Sequence, residues 1–90
     1  MPLSPDTALR NIGRRIAELR AERSLTQQAA ADQLGISARY VQSIEAGRVN
    51  LSIRALVEWA SLLRVPLAAL LELSKRPAAA TGRPKRSIAP

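Results

Sequence analysis

Two side chains three positions apart, Arg39 and Gln42, have the equipment to read the edge of a base pair. A guanidinium can donate two parallel hydrogen bonds to O6 and N7 of guanine, and a primary amide can pair with N6 and N7 of adenine, both in a major groove. They fall in residues 37–45, Ser-Ala-Arg-Tyr-Val-Gln-Ser-Ile-Glu, a stretch patterned as a short amphipathic helix. Val41 and Ile44, with Ile36 just before the capping serine, make one apolar stripe. Ala38, Arg39, Gln42 and Ser43 occupy the other side, and that side carries no carboxylate. Arg39 and Gln42 are the candidate readers on that side.

Other chemistries are poorly equipped. The chain has no cysteine and no histidine, so a Cys/His zinc site, a disulfide framework and Ser-His-Asp or Cys-His nucleophiles are all excluded. No metal, cofactor or enzymatic activity is expected. The first residues, Met-Pro-Leu-Ser-Pro-Asp, lack a basic region followed by an apolar run, and no apolar stretch approaches a membrane span. A soluble cytoplasmic, nucleoid-associated protein is the expectation, with no membrane partner. The formal net charge is +7. Lys75, Arg76, Arg83, Lys85 and Arg86, with no acid among residues 74–90, supply five of those seven charges. A basic tail on a mildly basic domain points to a polyanionic partner, nucleic acid ahead of a membrane surface; the alternative is a tail that only solubilises.

The elements that must position Arg39 and Gln42 follow from periodicity and punctuation. Ninety residues suit one domain, since roughly 50 to 70 are needed to close even a marginal core. With no Phe, one Trp and one Tyr in a chain that is 47% hydrophobic, the core must be aliphatic, as in packed helices rich in Ala and Leu. Asp6 or Thr7 is placed to cap a first helix, in which Leu9, Ile12, Ile16 and Leu19 recur at helical steps to about residue 22. Its outer face holds Arg10, Arg14, Glu18 and Glu22, with Arg14 and Glu18 one turn apart and able to pair. Thr26 caps a second helix over 27–34, whose inner side is Ala30, Ala31 and Leu34. Gly35 suits the left-handed residue that closes it, Ser37 caps the third helix, and Gly47 ends that one. Two short helices joined through such a turn, here about 26–45, form a helix-turn-helix unit whose second helix lies in the major groove.

Ser52 then caps a fourth helix over 53–63, with Ile53, Leu56, Trp59 or Ala60, and Leu63 inside and Val57 and Leu62 partly off that face. Pro66 sits at the first turn of a fifth helix over 67–73. Leu70, Leu71 and Leu73, supported by Val57 and Leu62, either form a dimer surface or complete the monomer core. The expected organisation is an all-α, compact five-helix domain over residues 7–73, an N-terminal arm over 1–6, and a disordered basic tail over 74–90.

The run Leu25, Thr26, Gln27, Gln28, then Leu34, Gly35, Ile36, Ser37, then Val41, Ile44, Glu45, Ala46, Gly47, then Asn50 and Ser52 resembles the Cro- and lambda-repressor-like helix-turn-helix domains, the Xre family, over about residues 9–73. The resemblance implies the family's five-helix lambda-repressor-like fold and a sequence-specific transcriptional regulator, most readily a repressor bound to double-stranded DNA as a homodimer. By position it implies that Ala38, Arg39, Gln42 and Ser43 contact bases, Ala38 only through its methyl, for example to thymine, and that Gln27 meets a DNA phosphate at a helix N-terminus. Tyr40, Arg48 and Asn50, with Arg54 assisting, are then backbone contacts, and Glu45 pairs with Arg20 as a structural salt bridge. The family usually has leucine where this chain has Ala30 and often proline where it has Leu51. The first departure calls for a bulky neighbour such as Leu62 or Trp59, the second for a looser loop. Small members of the family also serve as antitoxins, for which only the tail is available to hold a toxin or other protein partner, and as restriction–modification controllers. A protein-interaction module without DNA binding is the reading from another class; the acid-free face of the third helix argues against it. Gly82, Arg83 and Pro84, followed by Lys85 and Arg86, resemble the core of an AT-hook. Arg83, Pro84, Lys85 and Arg86 are thus candidate minor-groove residues, against nonspecific phosphate attraction or no role.

Overall fold

A computed structural model of the chain describes residues 4–75. Among them it forms five α-helices: α1 (Pro5–Glu22), α2 (Gln27–Leu34), α3 (Ala38–Glu45), α4 (Ile53–Leu63) and α5 (Leu67–Leu71). The first four each begin on a hydroxyl. Ser4, Thr26, Ser37 and Ser52 accept from the backbone N–H of Thr7, Ala29, Tyr40 and Ala55, satisfying a donor that no helical carbonyl can reach. For α1 the cap is therefore Ser4, not Asp6 or Thr7. Pro5 opens the helix, where its missing N–H costs nothing, and Asp6 stands in the first turn near the positive end of the dipole.

The five helices enclose one aliphatic core around a single tryptophan. Ile12, Ile16 and Leu19 of α1 meet Ala30 and Ala31 of α2, Val41 and Ile44 of α3, Leu56, Trp59, Ala60 and Leu63 of α4, and Leu70 of α5. Ala30 is fully buried in the same cluster as Trp59, with Leu62 packed against that cluster. Ile53 does not belong to the inner face. The buried stripe of α4 runs through Leu56, Trp59, Ala60 and Leu63, which leaves Ile53, in the first turn, and Val57 on its solvent side at 68% and 46% exposure. Leu51, in the loop before the helix, packs against the core instead. No helix among the described residues is long and apolar enough to cross a membrane.

The outer face of α1 differs from a simple solvated surface. Glu18 is buried, and it pairs with Arg15 at 3.1 Å rather than with Arg14. The reason lies at the other end of the described chain. α5 stops at Leu71, two residues short of the expected end, because Glu72 turns extended and the next residues run back against α1. Asn11 donates to the Glu72 carbonyl and accepts from the Ser74 N–H, both at 2.8 Å, as a neighbouring strand would. Arg15 donates to the Ala69 carbonyl at 2.7 Å and to the Glu72 carboxylate at 2.9 Å. Glu18 accepts from Ser74 Oγ at 2.8 Å and from the Lys75 N–H at 2.7 Å. Asn11, Arg15 and Glu18 thus clasp the segment after α5 as far as Lys75.

Candidate nucleic-acid interface

The turn between α2 and α3 is built as a helix stop followed at once by a helix start. Gly35 adopts φ 71°, and the Ile36 N–H reaches back to the Ala31 carbonyl at 3.0 Å, closing α2. Ser37 then caps α3. Val41 and Ile44 are buried and hold α3 to the core, whereas Arg39 and Gln42 are exposed. Ala38 and Ser43 are half-buried beside them. All four candidate base-contacting residues therefore stand on α3, but only two project freely. Tyr40, 44% exposed, borders a recess of 60 Å³ together with Leu34, Ala55 and Glu58 among others.

The last residue of α3 is the joint of three helices. Arg20 of α1 grips Glu45 with Nε to Oε2 at 2.6 Å and Nη2 to Oε1 at 3.1 Å, and its Nη1 donates to the Leu25 carbonyl at 2.8 Å. Gln27, in the first turn of α2, donates from Nε2 to Glu45 Oε1 at 2.9 Å. The Arg20 and Glu45 side chains are only 16% and 10% exposed, so the pair lies within the fold, not on its rim. A primary amide has two N–H bonds; Glu45 takes one from Gln27 and leaves the other for a further acceptor at the start of α2.

Two glycines bring α1 onto this end of α3. A Cβ at Gly13 would lie 2.5 Å from the Ile44 carbonyl oxygen and 2.6 Å from that of Glu45. One at Gly47, where φ is 78°, would lie 2.7 Å from Arg10 Cα. Sequence reasoning found Gly47 as a terminator but passed over Gly13. A signal was there: a glycine inside a regular helix costs about 1 kcal/mol relative to alanine, so its presence in α1 calls for a close approach.

Arg48 and Asn50 are exposed in the loop after α3, and Arg54 is exposed in the first turn of α4. The half-buried Val49 and Leu51 between them anchor the loop to the core. Among the described residues the ion pairs engage Arg15, Arg20 and Arg23. Arg39, Arg48 and Arg54 have no carboxylate partner there, so their charge is directed outward. Arg83, Pro84, Lys85 and Arg86 lie outside the described residues.

This docked helix, with an acid-free outer face behind a glycine turn, has a counterpart in known proteins: a helix-turn-helix family model, HTH_3, matches residues 16–70. The chain belongs to the Xre/Cro-like helix-turn-helix family. It is a DNA-binding regulator of transcription. Among solved structures it is similar to the restriction–modification controller protein C.AhdI from Aeromonas hydrophila, at 31% identity and a TM-score of 0.65 over 69% of this chain and 94% of that one. The DNA-binding domain of BldD shares the fold at 22% identity and a TM-score of 0.69, over 78% of this chain and 100% of that one. So does a hypothetical transcription factor, NHTF from Neisseria, at 24% identity and a TM-score of 0.67, over 81% of this chain and 85% of that one. No curated protein matches the sequence.

Proposed function

We propose that this Xre/Cro-like regulator is a sequence-specific repressor that binds its operator as a homodimer, acting in the cytoplasm by occupancy and not by catalysis. The observation that carries the reading is α3 itself. It is docked by Val41 and Ile44, tied down by Glu45, and presents Arg39 and Gln42 without a carboxylate beside them. Arg39 reads a guanine and Gln42 an adenine in the major groove, with Ala38 and Ser43 as lesser contacts. Gln27, Tyr40, Arg48, Asn50 and Arg54 hold phosphates and set the register. In the same reading Arg83, Pro84, Lys85 and Arg86 add a grip on an A·T minor groove.

Two full readers on one short helix specify few base pairs, which is the reason for a second copy about one helical turn away. Leu70 is fully buried in the core and is unavailable for that purpose. Leu71 and Leu73, at 56% and 85% exposure, are the surface leucines left for a dimer contact. Replacing both, Leu71→Ser with Leu73→Ser, is expected to give a monomer by sedimentation and to weaken binding to a palindromic site. A dimer that persists unchanged would move the interface elsewhere.

Control of restriction–modification genes is the second reading, supported by the resemblance to C.AhdI over 94% of that protein. Selection of binding sites from random duplexes tests the main reading. Arg39→Ala and Gln42→Ala should each relax preference at particular base positions, by about 1–3 kcal/mol, whereas Gln27→Ala should weaken every site alike. Uniform loss in all three variants would refute the division between readers and phosphate contacts.

A further inference from the structure

We infer that the outer face of α1 is a second phosphate-binding edge, on which Arg10 and Arg14, continuous with Arg48, hold the DNA backbone flanking the bases that α3 reads. This rests on the DNA-binding reading of α3 and extends it to a helix outside the helix-turn-helix unit.

Placement comes from the two glycine contacts. Gly13 lays α1 on the last carbonyls of α3, and Gly47 seats the turn after α3 directly on the backbone and Cγ of Arg10. Arg10 therefore stands beside Arg48, the residue that follows Gly47, and Arg14 is one turn further along the same side of α1.

Charge supports the same assignment. Arg10 is exposed, and although Asp6 is one turn away the two form no ion pair. Arg14 is half-buried and its Nε is buried without an acceptor. Glu18, one turn along α1, is turned to Arg15, Ser74 and Lys75. An unpaired buried donor is costly within the free protein. Arg14 is only half-buried and no ion pair engages it among the described residues, which leaves the Nη edge of the guanidinium for an external anion. The clasp also brings Lys75 to this face, since its N–H is bonded to Glu18, one turn from Arg14. Arg48, Arg10, Arg14 and Lys75 then form one basic ridge leading away from the recognition helix. A ridge that begins at the turn closing a DNA-reading helix fits nucleic-acid phosphate rather than a lipid surface.

The test uses the full chain and a selected operator, with log K measured against log salt. Each phosphate contact contributes about 0.9 to the slope. Arg10→Gln should therefore flatten it by about 0.9 and Arg10→Gln with Arg14→Gln by about 1.8, with base preference intact. Arg14→Lys should keep the wild-type slope, and shortening the duplex at its flanks should erase the difference between wild type and the double variant. A wild-type slope in the double variant overturns the inference. Should Arg14→Gln unfold the protein, Arg10→Gln decides alone, because Arg10 is exposed and has no partner to lose. If Arg39→Ala relaxes base preference while the slope of the double variant is unchanged, only the ridge fails. If Arg39→Ala leaves base preference untouched, it is the reading of α3 that fails.

Discussion

Glu45→Gln is expected to destabilise the domain by about 3 kcal/mol and to weaken DNA binding on all sequences alike, by roughly tenfold or about 1.4 kcal/mol. The change is close to isosteric, so packing is preserved and the loss is electrostatic. In the native protein the carboxylate answers two N–H groups of Arg20 and one of Gln27, with both charged side chains largely withdrawn from water. Neutralising it leaves the Arg20 guanidinium without a counter-charge, with the Leu25 carbonyl and one amide oxygen, for which Gln27 competes, as its acceptors. Removing one partner of such a pair costs more than the pair contributes, because the desolvation of the survivor is no longer offset. For a domain of this size, whose whole stability is of order 5–10 kcal/mol, the melting temperature should fall by about 12 °C or more. Thermal unfolding followed by circular dichroism checks it. A double-mutant cycle sharpens the result: Arg20→Ala with Glu45→Ala should cost clearly less than the sum of the single changes, since removing both charges strands neither. Additive losses would show that the two side chains act separately. Binding suffers uniformly because Glu45 touches no base in the proposed mode; it orients Gln27 and the end of α3, which serve every site.

What could be read from the sequence was local. Thr26, Ser37 and Ser52 announce three helices because a cap bonds three residues ahead, and Gly35 announces a stop because only its own φ is involved. The same rules overlooked Ser4 only by a short distance, since Pro5 allows a start earlier than the apolar pattern does. The larger failures are long-range. Glu18 looks like a solvated partner of Arg14, and it becomes a buried acceptor because residues 56 and 57 positions later, Ser74 and Lys75, return to it. α5 is shortened for the same reason, Asn11 offering Glu72 and Ser74 a better arrangement than another turn of helix. Ile53 satisfies helical spacing yet stays exposed, because the centre of a buried face is set by the neighbouring helices and not by the period alone. On α3 the residues that dock and the residues that project could be separated from the pattern. The narrow joint at Glu45, where Gln27 shares the carboxylate with Arg20, depends on three helices and had no local trace beyond the family resemblance.

Gly13→Ala sets two of these levels against each other. Helix propensity alone favours alanine by about 1 kcal/mol in the interior of α1. Against this, the new methyl carbon would meet the Ile44 and Glu45 carbonyl oxygens and the Glu45 carbonyl carbon at 2.5 to 2.8 Å. All three are backbone atoms of the last turn of α3, so no side-chain rotation relieves the contact. Either α1 withdraws from α3 or α3 shifts, and a shift also stretches the Arg20–Glu45 pair that spans the same gap. Overpacking of this kind costs about 1–3 kcal/mol, and with a strained ion pair the upper part of that range applies, so a net loss of about 2 kcal/mol is expected. Because α3 is the element displaced, preference among operator bases should fall along with stability. Gly35→Ala is the informative comparison. Its Cβ meets nothing within 4 Å, so it bears only the left-handed backbone cost of about 1–2 kcal/mol, and α3 keeps its seat on α1. Urea unfolding of the two variants, with binding measured on selected and scrambled duplexes at a temperature where both are folded, separates them. If Gly13→Ala proves as stable as the wild type, α1 and α3 have slack between them, and the close seating that holds the reading helix in place is not required.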